Sequence, residues 1–558
     1  SALWSFEHGG WSPGYGAAII TQSGMFSSDI TMSQRSLPLA YMVSAGNQAV
    51  LGQEDFLEFF VDDPLVRAIG LHIEGLQDVP RFESAALKAL SKGIPVVVLK
   101  TGSSTIGSEL TISHTGSLSG SAELYEALFA RTGIISVSNP SQFLETLKFL
   151  CVVGAPKSKN LVGFTCSGGG ATMLADYAEK IDLSFLPVDP VQEIELAALL
   201  PKIATVSNPL DYTTPIWGQE DLTYPVFSKA ISAVEAGSAV LVQDYPAEGL
   251  DNSKVFYQRD AIAFARATKE SGLPAAICAT IPENMDIETR QLLISKGVAP
   301  MQGIHETLNA ISASAEWSQN RVRILLDIPR PLSPNLRVGQ QVMVSEPEGK
   351  SWLLANDFAV PQGKVTSGQN LGAVASELGY PLALKMVSPY LPHKTEAGAV
   401  VLNLSDAASA IQASIKMQAD VVSYNPQAAT DQFLLEAMSP KPLAELIVTL
   451  RRDPQFGIAL VLGSGGILVE LVGDAVTLLL PLSPHDITRA IKKLRVIGLL
   501  NGFRGGLQAD LEKISLQIHR LCIAYTKHQD EIAEIEINPL FIYSDQVCAV
   551  DVLVHKFN

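Results

Sequence analysis

The sequence predicts an α/β protein built from three consecutive blocks, of which the first two contain parallel sheets. Between residues 16 and 318, short apolar and β-branched runs alternate with stretches long enough to form helices. Strands joined in this way form right-handed β-α-β units, the connection that a parallel sheet requires. A segment with several prolines then separates these two blocks from a third block that has strands of its own.

The composition is that of a long, apolar and acidic chain. It has 558 residues, of which 47% are hydrophobic and 17% charged, so it can bury several cores. The net charge of −17 argues against a nucleic-acid partner, because binding a phosphate backbone requires a basic surface. No apolar run approaches the roughly 20 residues that span a bilayer. The five scattered cysteines are typical of reduced thiols. We therefore expect a cytoplasmic protein without a membrane partner.

The first block covers residues 16–152 and follows a leader of residues 1–15. Its strand candidates are GAAIITQ, AIGLHIEG, IPVVVLK and GIISV, and helical stretches such as SAALKALSKG and SAELYEALFARTG lie between them. A linker at residues 329–350 leads to the third block at residues 351–558. That block has the strand candidates YPLALKMV, QFLLEAM, IALVLGS and QVCAVDVLV.

The second block, residues 153–328, opens in the same way as the first. In each, an apolar strand runs into a Ser-Gly turn and then into a helical stretch; the turns contain Ser23 and Gly24 in one case, Ser167 and Gly168 in the other. The free N–H groups and the dipole at the start of a helix favour a bound phosphate. The repeat therefore predicts two helix N-termini that meet around one phosphate, although two ordinary strand-to-helix turns would give the same pattern.

Residues 100–121 form a stretch rich in glycine and hydroxyl side chains around a single histidine, His114. Such a stretch buries little, so we expect an exposed loop whose small residues let a phosphate approach closely. Imidazole titrates near neutrality and can act as a nucleophile on phosphorus. Its second ring nitrogen then needs an orienting carboxylate. Glu74 is the candidate, because it ends a strand where α/β sheets place functional groups.

Residues 113–121 (SHTGSLSGS) resemble the phosphohistidine motif of nucleoside-diphosphate-forming acyl-CoA synthetases, the relatives of succinyl-CoA synthetase. The segments ITQSG at residues 20–24, SAGN at 44–47 and IEG at 73–75 follow the family's order and spacing, and the resemblance continues to the end of the chain. It implies two flavodoxin-like parallel-sheet domains followed by an α+β ATP-grasp domain.

The resemblance also assigns roles in the first two blocks. It makes His114 the phosphorylated residue and Glu74 its orienting partner. Phosphate would be bound by Ser23, Gly24, Ser167, Gly168 and Gly169, and the acyl and CoA site would include Gly46, Asn47, Asn208 and Asp211.

In the third block, Lys385, Glu436 and Glu445 match positions that contact the nucleotide, and His393 matches a histidine that relays phosphate in some family members. Asn538 and Asp551 match the magnesium-binding pair. Mg²⁺ suits such a pair, since it takes oxygen ligands and keeps several waters while it bridges phosphates. The resemblance thus implies Mg²⁺ as cofactor, with ATP or ADP and CoA as substrates.

We interpret the chain as an ADP-forming acyl-CoA synthetase that acts through an acyl phosphate. The alternative is a regulatory subunit that binds acyl-CoA or nucleotide without turnover; the joint presence of His114, Glu74, Asn538 and Asp551 argues against it. An ATP-grasp carboxylate–amine ligase would not need the phosphohistidine loop. The family's N-terminal CoA-binding Rossmann domain has no counterpart in the sequence, so we expect a partner chain or a longer protein to supply it. We also expect that the chain can form a homo-oligomer. The sequence does not identify the acid.

Overall fold

The computed structural model describes residues 14–102, 104, 122–334, 339–391, 394–465 and 473–558. His114 and His393 lie outside these ranges. The chain divides into two compact units, one formed by the residues up to Ala122 with Phe129–Ile328, the other by Glu123–Leu128 with Pro329–Asn558. Among the described helices, none is both long and apolar enough to cross a membrane.

The first unit begins with a five-stranded parallel sheet in the order β2-β1-β3-β4-β5. This is the strand order of doubly wound, flavodoxin-like sheets, which bind ligands beyond the carboxyl ends of their strands. The strands are β1 Gly16–Thr21, β2 Leu39–Ser44, β3 Val66–Ile73, β4 Val96–Lys100 and β5 Ile135–Val137. The helices of this part of the chain are α1 Gly24–Thr31, α2 Gln53–Phe60, α3 Val79–Lys92, α4 Ala122–Thr132 and α5 Pro140–Val153.

The central strands of this sheet are covered on both faces, which explains their continuous apolar sequences. Every residue of β1 is buried, as expected for parallel sheets between two layers of helices. Gly70 in β3 has no room for a side chain, because a Cβ atom there would lie 2.7 Å from Leu147 and 2.8 Å from Phe143 of α5. Helix α5 therefore packs directly onto the sheet.

The second parallel sheet repeats this topology. Its order is β11-β10-β9-β6-β7, with the short strand β8 paired to the end of β6. Without β8, the strand order is again that of a flavodoxin-like sheet. The strands are β6 Asn160–Thr165, β7 Ser184–Phe185, β8 Leu210–Asp211, β9 Ser238–Val242, β10 Ala275–Ala279 and β11 Ala299–Gln302. The helices are α6 Gly168–Ala178, α7 Pro190–Leu199, α8 Glu220–Ser232, α9 Lys254–Ser271, α10 Ile287–Ser295 and α11 Ile304–Leu326.

A buried polar junction joins the two sheets within the first unit. Glu145 of α5 is fully buried and accepts a hydrogen bond of 3.0 Å from the backbone N–H of Gln302, at the end of β11. The same carboxylate pairs with Lys148 at 2.9 Å and with Arg35 at 3.0 Å. A buried charge is costly unless it is paired and hydrogen-bonded. These contacts therefore fix the two sheets relative to each other.

The second unit contains two mainly antiparallel sheets, in the orders β12-β22-β20-β17-β18-β19 and β13-β16-β14-β15, with β21 paired to β20. The strands are β12 Gln341–Val344, β13 Gly363–Ser367, β14 Leu382–Met386, β15 Val400–Leu404, β16 Gln432–Ala437, β17 Ala444–Asp453, β18 Gly457–Ser464, β19 Ala475–Leu479, β20 Ile532–Ile542, β21 Val547–Ala549 and β22 Val552–Phe557. The helices are α12 Glu346–Ala355, α13 Leu371–Leu378, α14 Ala407–Tyr424, α15 Pro484–Lys493, α16 Ile497–Leu500 and α17 Leu511–Lys527. Two parallel sheets followed by antiparallel ones confirm the predicted fold class.

The predicted linker is more ordered than expected. Strand β12 pairs antiparallel with β22, and α12 begins at Glu346, both inside the predicted range 329–350. Pro347 lies in the first turn of α12, where its missing N–H is not needed, and Ser345 forms a capping box with Glu348. This proline therefore begins a helix instead of extending a linker. The other predicted domain boundaries stay predictions.

Candidate functional site

The two Ser-Gly turns have the same hydrogen-bond geometry. The backbone N–H of Ser23 donates to the hydroxyl of Thr21 at 3.0 Å, and the N–H of Ser167 donates to the hydroxyl of Thr165 at 3.2 Å. Each threonine ends a central strand, and each glycine that follows the serine is the first residue of a helix. The Thr-x-Ser-Gly repeat thus produces two equivalent helix starts at the carboxyl edges of the two parallel sheets.

The serine hydroxyls differ. Ser23 Oγ accepts a hydrogen bond of 3.2 Å from the N–H of Phe26 and caps α1, whereas Ser167 makes no capping bond to α6. Asp211, at the end of β8, lies next to the second turn: a Cβ atom on Gly168 would be 3.7 Å from the Asp211 carboxylate. Gly169 follows in the first turn of α6. The second helix start therefore has a carboxylate beside it and a hydroxyl that is not used for capping.

Glu74 directly follows β3, and the fold fixes its backbone tightly. Gln22, from the first Ser-Gly turn, accepts hydrogen bonds from the N–H groups of both Glu74 and Gly75. Lys100 donates to the carbonyl oxygen of Glu74 at 3.0 Å. Burial lowers the pKa of Lys100 to about 8, and the nearby Glu74 charge opposes that shift. Within the described part of the chain, the Glu74 carboxylate itself forms no ion pair.

A buried histidine that the sequence analysis did not select supports this edge. His72 shares a hydrogen bond of 2.8 Å with the Thr21 hydroxyl and one of 3.1 Å with the Thr101 hydroxyl. Burial, with a smaller contribution from Lys100, lowers its pKa to about 4, so the ring is neutral near pH 7. It joins the ends of three adjacent strands. The available signal was a histidine inside an apolar strand, two residues before Glu74.

Two of the predicted acyl and CoA residues lie at the carboxyl edge of the first sheet. Gly46 and Asn47 follow β2, and Gly46 has a φ of 58°, which glycine adopts without strain. The next residue, Gln48, donates from its side chain to the carbonyl of Gly75 at 3.0 Å. The turn that contains Gly46 and Asn47 is therefore tied to the segment that holds Glu74.

Asn208, another predicted acyl and CoA residue, is hydrogen-bonded to backbone groups inside the second sheet. Its amide oxygen accepts from the N–H of Gly163 at 3.0 Å, and its amide nitrogen donates to the carbonyls of Leu161 and Leu186 at 2.8 and 2.9 Å. This side chain therefore links strand β6 to the segment after β7, and its hydrogen-bonding groups are used inside the fold. A role for Asn208 at the acyl or CoA site stays a prediction.

In the second unit, Lys385 lies in a buried network of charges. Its ammonium group is 2.6 Å from Glu346 and 3.0 Å from Glu436, and it donates to the carbonyl of Val550 at 2.8 Å. Lys350 pairs with the same two carboxylates and donates to the same carbonyl at 2.7 Å. All four charged side chains are more than nine-tenths buried. Glu436, predicted to contact nucleotide, is therefore also a structural partner of Lys385.

Charge pairing stabilises the ionised forms in this network. Burial alone would raise the pKa of Glu346, but Lys385, Lys350 and Lys394 hold it well below its usual range. Burial would likewise lower the pKa of Lys385, and the surrounding carboxylates, with Glu346 first, raise it instead. The network therefore contains charged groups in spite of its burial.

Asn538 and Asp551 lie side by side. The backbone N–H of Asn538 donates to the carbonyl of Asp551 at 3.2 Å, which joins the middle of β20 to the residue before β22. The Asp551 carboxylate pairs with the Lys394 ammonium at 3.0 Å. These oxygen donors fit Mg²⁺, and the lysine shows that a cation is accommodated there. Among the described residues there is no cluster of three or more carboxylate, histidine and cysteine ligands, so water and phosphate oxygens would complete the coordination.

Glu445 lies on β17 opposite Phe541, and its carbonyl accepts from the N–H of Gly465 at 2.7 Å. It stands in the sheet that contains Asn538, while Lys385 and Glu436 lie in the other sheet of this unit. The sequence analysis missed Glu346, Lys350 and Lys394. Only Lys394 carried a signal, because it directly follows His393 in the sequence.

A cavity of about 400 Å³ lies elsewhere in the first unit. It is lined by the ends of α8 and α9, including Ser228 and Glu270, and by Ala236 and Leu273, which precede strands β9 and β10. It therefore lies at the amino edge of the second parallel sheet, away from Ser167 at the carboxyl edge.

Two family profiles match the chain. The profile of the ATP-grasp domain matches residues 336–555, and that of the succinyl-CoA ligase-like flavodoxin domain matches residues 15–150. The chain is 28% identical to the ADP-forming acetate–CoA ligase I of Archaeoglobus fulgidus over 549 residues, which are 96% of this chain and 77% of that protein. It is 27% identical to a trans-feruloyl-CoA synthase from an unknown prokaryotic organism, over 96% of this chain and 76% of that protein.

A shorter part of the chain has a match of higher identity. The beta subunit of an ADP-forming acetate–CoA ligase I from Pyrococcus furiosus is 33% identical over 210 residues, which cover 37% of this chain and 88% of that subunit. The family profiles, the two flavodoxin-like sheets and the near full-length similarity agree with one another. This chain belongs to the family of ADP-forming acyl-CoA synthetases.

Proposed function

We propose that this chain catalyses the reversible reaction of a carboxylic acid, ATP and CoA to give an acyl-CoA, ADP and phosphate. The observation that supports the proposal is that each unit has a group of residues suited to one half of this reaction. The first unit has two helix starts for phosphate with Glu74 held beside one of them. The second has buried lysines and an Asn538–Asp551 pair suited to a nucleoside triphosphate with its cation.

The reaction we propose proceeds in three displacements. A ring nitrogen of His114 attacks the γ-phosphorus of ATP, and the bond to ADP breaks. A carboxylate oxygen of the acid then attacks the phosphorus, the P–N bond breaks, and an acyl phosphate forms. Finally the thiolate of CoA attacks the acyl carbon and phosphate leaves. Because the displacements need both nucleotide and acid at one histidine, the His114 loop would have to travel between two sites.

The residues have distinct proposed roles. Glu74 accepts a hydrogen bond from the second ring nitrogen of His114 and fixes its tautomer. Ser23, Gly24, Ser167, Gly168 and Gly169 bind the transferred phosphoryl group, and Gly46, Asn47, Asn208 and Asp211 bind the acyl and CoA parts. Lys385, Glu436 and Glu445 bind the nucleotide. If His393 relays phosphate, its ring first takes the γ-phosphoryl group from ATP, with ADP leaving, and then passes it to His114. Asn538 and Asp551 hold Mg²⁺, which would neutralise phosphate charge.

We further propose that the protein works in the cytoplasm, as a homo-oligomer or with a partner chain. All five cysteines are unpaired, which is consistent with a reducing compartment.

The proposal is tested by incubation with γ-labelled ATP and Mg²⁺. We expect an acid-labile, base-stable label on His114, and release of ADP that depends on CoA and on one of a panel of acetate-like, branched, aryl and hydroxycinnamate acids. Asn538→Ala combined with Asp551→Ala should reduce labelling by orders of magnitude, because metal sites stabilise phosphoryl charge by several kcal/mol. Tight nucleotide binding without any label or ADP release would instead support the regulatory-subunit alternative.

A further inference from the structure

Lys394 occupies an unusual position between a buried and a partly exposed carboxylate. Its ammonium group lies 3.0 Å from Glu346 Oε2, and 3.0 and 3.3 Å from the two oxygens of Asp551. The Glu346 side chain is 3% exposed, that of Lys394 11% and that of Asp551 29%. The ammonium thus contacts both oxygens of a carboxylate that the proposed function assigns to the metal.

The charges of this network balance. Lys350, Lys385 and Lys394 contribute three positive charges, and Glu346, Glu436 and Asp551 contribute three negative ones. Balance favours burial, since an uncompensated charge in such a place is strongly destabilising. A divalent cation at Asp551 would add two charges next to the Lys394 ammonium. Both cations cannot keep the same carboxylate at contact distance without strong repulsion.

The pairs differ in how readily they can separate. Lys385 and Lys350 are anchored by two carboxylates and by the Val550 carbonyl. Lys394 has no such backbone acceptor among its described contacts, and its two partners lie on either side of it. Glu346 is fixed inside the network. Lys394 can therefore release Asp551, keep Glu346, and swing its flexible side chain toward another anion.

We propose that Lys394 is a built-in cation that holds Asp551 when no nucleotide is bound and moves to the nucleotide phosphates when a divalent cation takes Asp551. This inference rests on the proposed function, since it uses the Asn538–Asp551 pair as the metal site. It makes Lys394 a positioning residue that couples the two ligands. The metal alone binds weakly because it must displace a lysine, whereas the metal with nucleotide supplies the phosphates that accept that lysine.

The test measures Mn²⁺ binding to the nucleotide-free chain, by the electron paramagnetic resonance signal of free Mn²⁺. Lys394→Met should tighten Mn²⁺ binding by about tenfold or more, because the metal no longer has to displace a lysine from the Asp551 carboxylate. Lys394→Met combined with Asp551→Asn should lose that gain. An unchanged affinity in Lys394→Met, or a gain that persists without Asp551, would overturn the proposal.

Lys513 offers a matched control. It is also a lysine between two carboxylates of the same unit, 3.7 Å from both Asp510 and Asp545, but it is exposed. Lys513→Met changes the net charge by the same amount and should leave Mn²⁺ affinity unchanged. An equal gain in both variants would mean that only overall charge matters, which also contradicts the proposal.

A second variant covers the case in which Lys394→Met does not fold, as judged by circular dichroism. Lys394→Gln keeps a polar group next to Glu346 and should also tighten Mn²⁺ binding, whereas Lys394→Arg keeps the charge and should not. None of these measurements needs an acid, CoA or His114. If Asp551→Asn leaves binding of Mn²⁺ with nucleotide unchanged, the proposed metal site is wrong; if only Lys394→Met and Lys394→Gln lack an effect, the lysine proposal alone is wrong.

Discussion

The two Ser-Gly turns of the first unit share a backbone and differ in what surrounds it. In each, a threonine at a strand end accepts from the serine N–H and a helix begins at the next glycine. The first turn places Gln22 against the backbone of Glu74, while the second has Cys166 at the matching position and Asp211 beside its helix start. The repeat therefore sets the same backbone geometry twice, and the side chains around the two copies differ.

Under the proposed function, the first turn would position the histidine partner and the second would face the ligand. A carboxylate at a helix N-terminus competes with a bound anion, so Asp211 would suit a step in which phosphate leaves. Ser23 already caps its helix, whereas Ser167 has a hydroxyl that is not used in this way. Three pairs of matched changes and one single variant test the distinction.

The largest difference is expected between the two carboxylates. Glu74→Gln should lower the rate of His114 phosphorylation from ATP by roughly 10²- to 10⁴-fold, the range that acid–base partners contribute. Asp211→Asn keeps the acceptor for the N–H of Thr213 and should lower that rate by less than about tenfold. Rapid-quench labelling with γ-labelled ATP measures both. Similar losses in the two variants would mean that the turns are equivalent.

The next pair compares Gln22 with Cys166. Gln22→Met leaves the N–H groups of Glu74 and Gly75 without their acceptor, which should cost about 1–3 kcal/mol in unfolding free energy. The misplaced Glu74 should also slow labelling by about tenfold. Cys166→Ala should change the labelling rate little. Urea unfolding and the labelling assay decide the outcome, and a normal labelling rate in Gln22→Met would refute the positioning role.

The third test concerns pH and uses the single variant His72→Val. In the first sheet, His72 of β3 lies opposite Thr21 of β1. In the second sheet the corresponding residue is Val242, which follows Leu241, the residue opposite Phe164. The folded pKa of His72, about 4, lies below the unfolded value of about 6.5. The unfolded chain therefore binds the proton first, and His72 makes stability fall as the pH drops from about 6.5 toward 4.

His72→Val gives the first sheet the residue of the second and removes this proton uptake. Between pH 7.5 and 5, the native protein should lose about 1–2 kcal/mol more unfolding free energy than the variant. Urea unfolding followed by tryptophan fluorescence at both pH values measures the difference. Parallel pH profiles for the two proteins would contradict a neutral, buried His72.

The smallest effects are expected for the two serines. Ser23→Ala removes a helix cap and should cost about 1 kcal/mol of stability, whereas Ser167→Ala removes none and should cost only a few tenths. If Ser167 faces the ligand, Ser167→Ala should bind inorganic phosphate more weakly, so that phosphate inhibits the labelling of His114 less than it does in the native protein. Equal stability losses, with no change in phosphate competition, would leave the second hydroxyl without a ligand role.

Local patterns in the sequence predicted the parallel sheets well. The strand candidates GAAIITQ, AIGLHIEG, IPVVVLK and GIISV correspond to β1, β3, β4 and β5, because strands buried on both faces form continuous apolar runs. Strand β2 was not singled out, since LAYMVS is only half-buried and its composition is less distinctive. The repeated turn was also visible, because its geometry depends on residues that are adjacent in sequence.

The ionic network could not be predicted in the same way. Lys350 and Val550, which are hydrogen-bonded, are 200 positions apart, and a charged residue on a helix is more often a solvated one. The family resemblance selected Lys385, Glu436 and Asp551, but not Glu346 and Lys394, which join them into one network. The phosphohistidine loop itself lies outside the described residues, so His114 rests on the sequence alone.

The segment QVCAVDVLV, predicted as one strand, is interrupted between β21 and β22 at Val550 and Asp551. The interruption takes the Val550 carbonyl out of the ladder and lets it accept from both Lys350 and Lys385. That acceptor is a main-chain atom, so alanine scanning of this segment would pass over it without effect. Replacement of the amide bond between Val550 and Asp551 by an ester weakens the Val550 carbonyl as an acceptor. It would reveal a contribution that no side-chain substitution can measure.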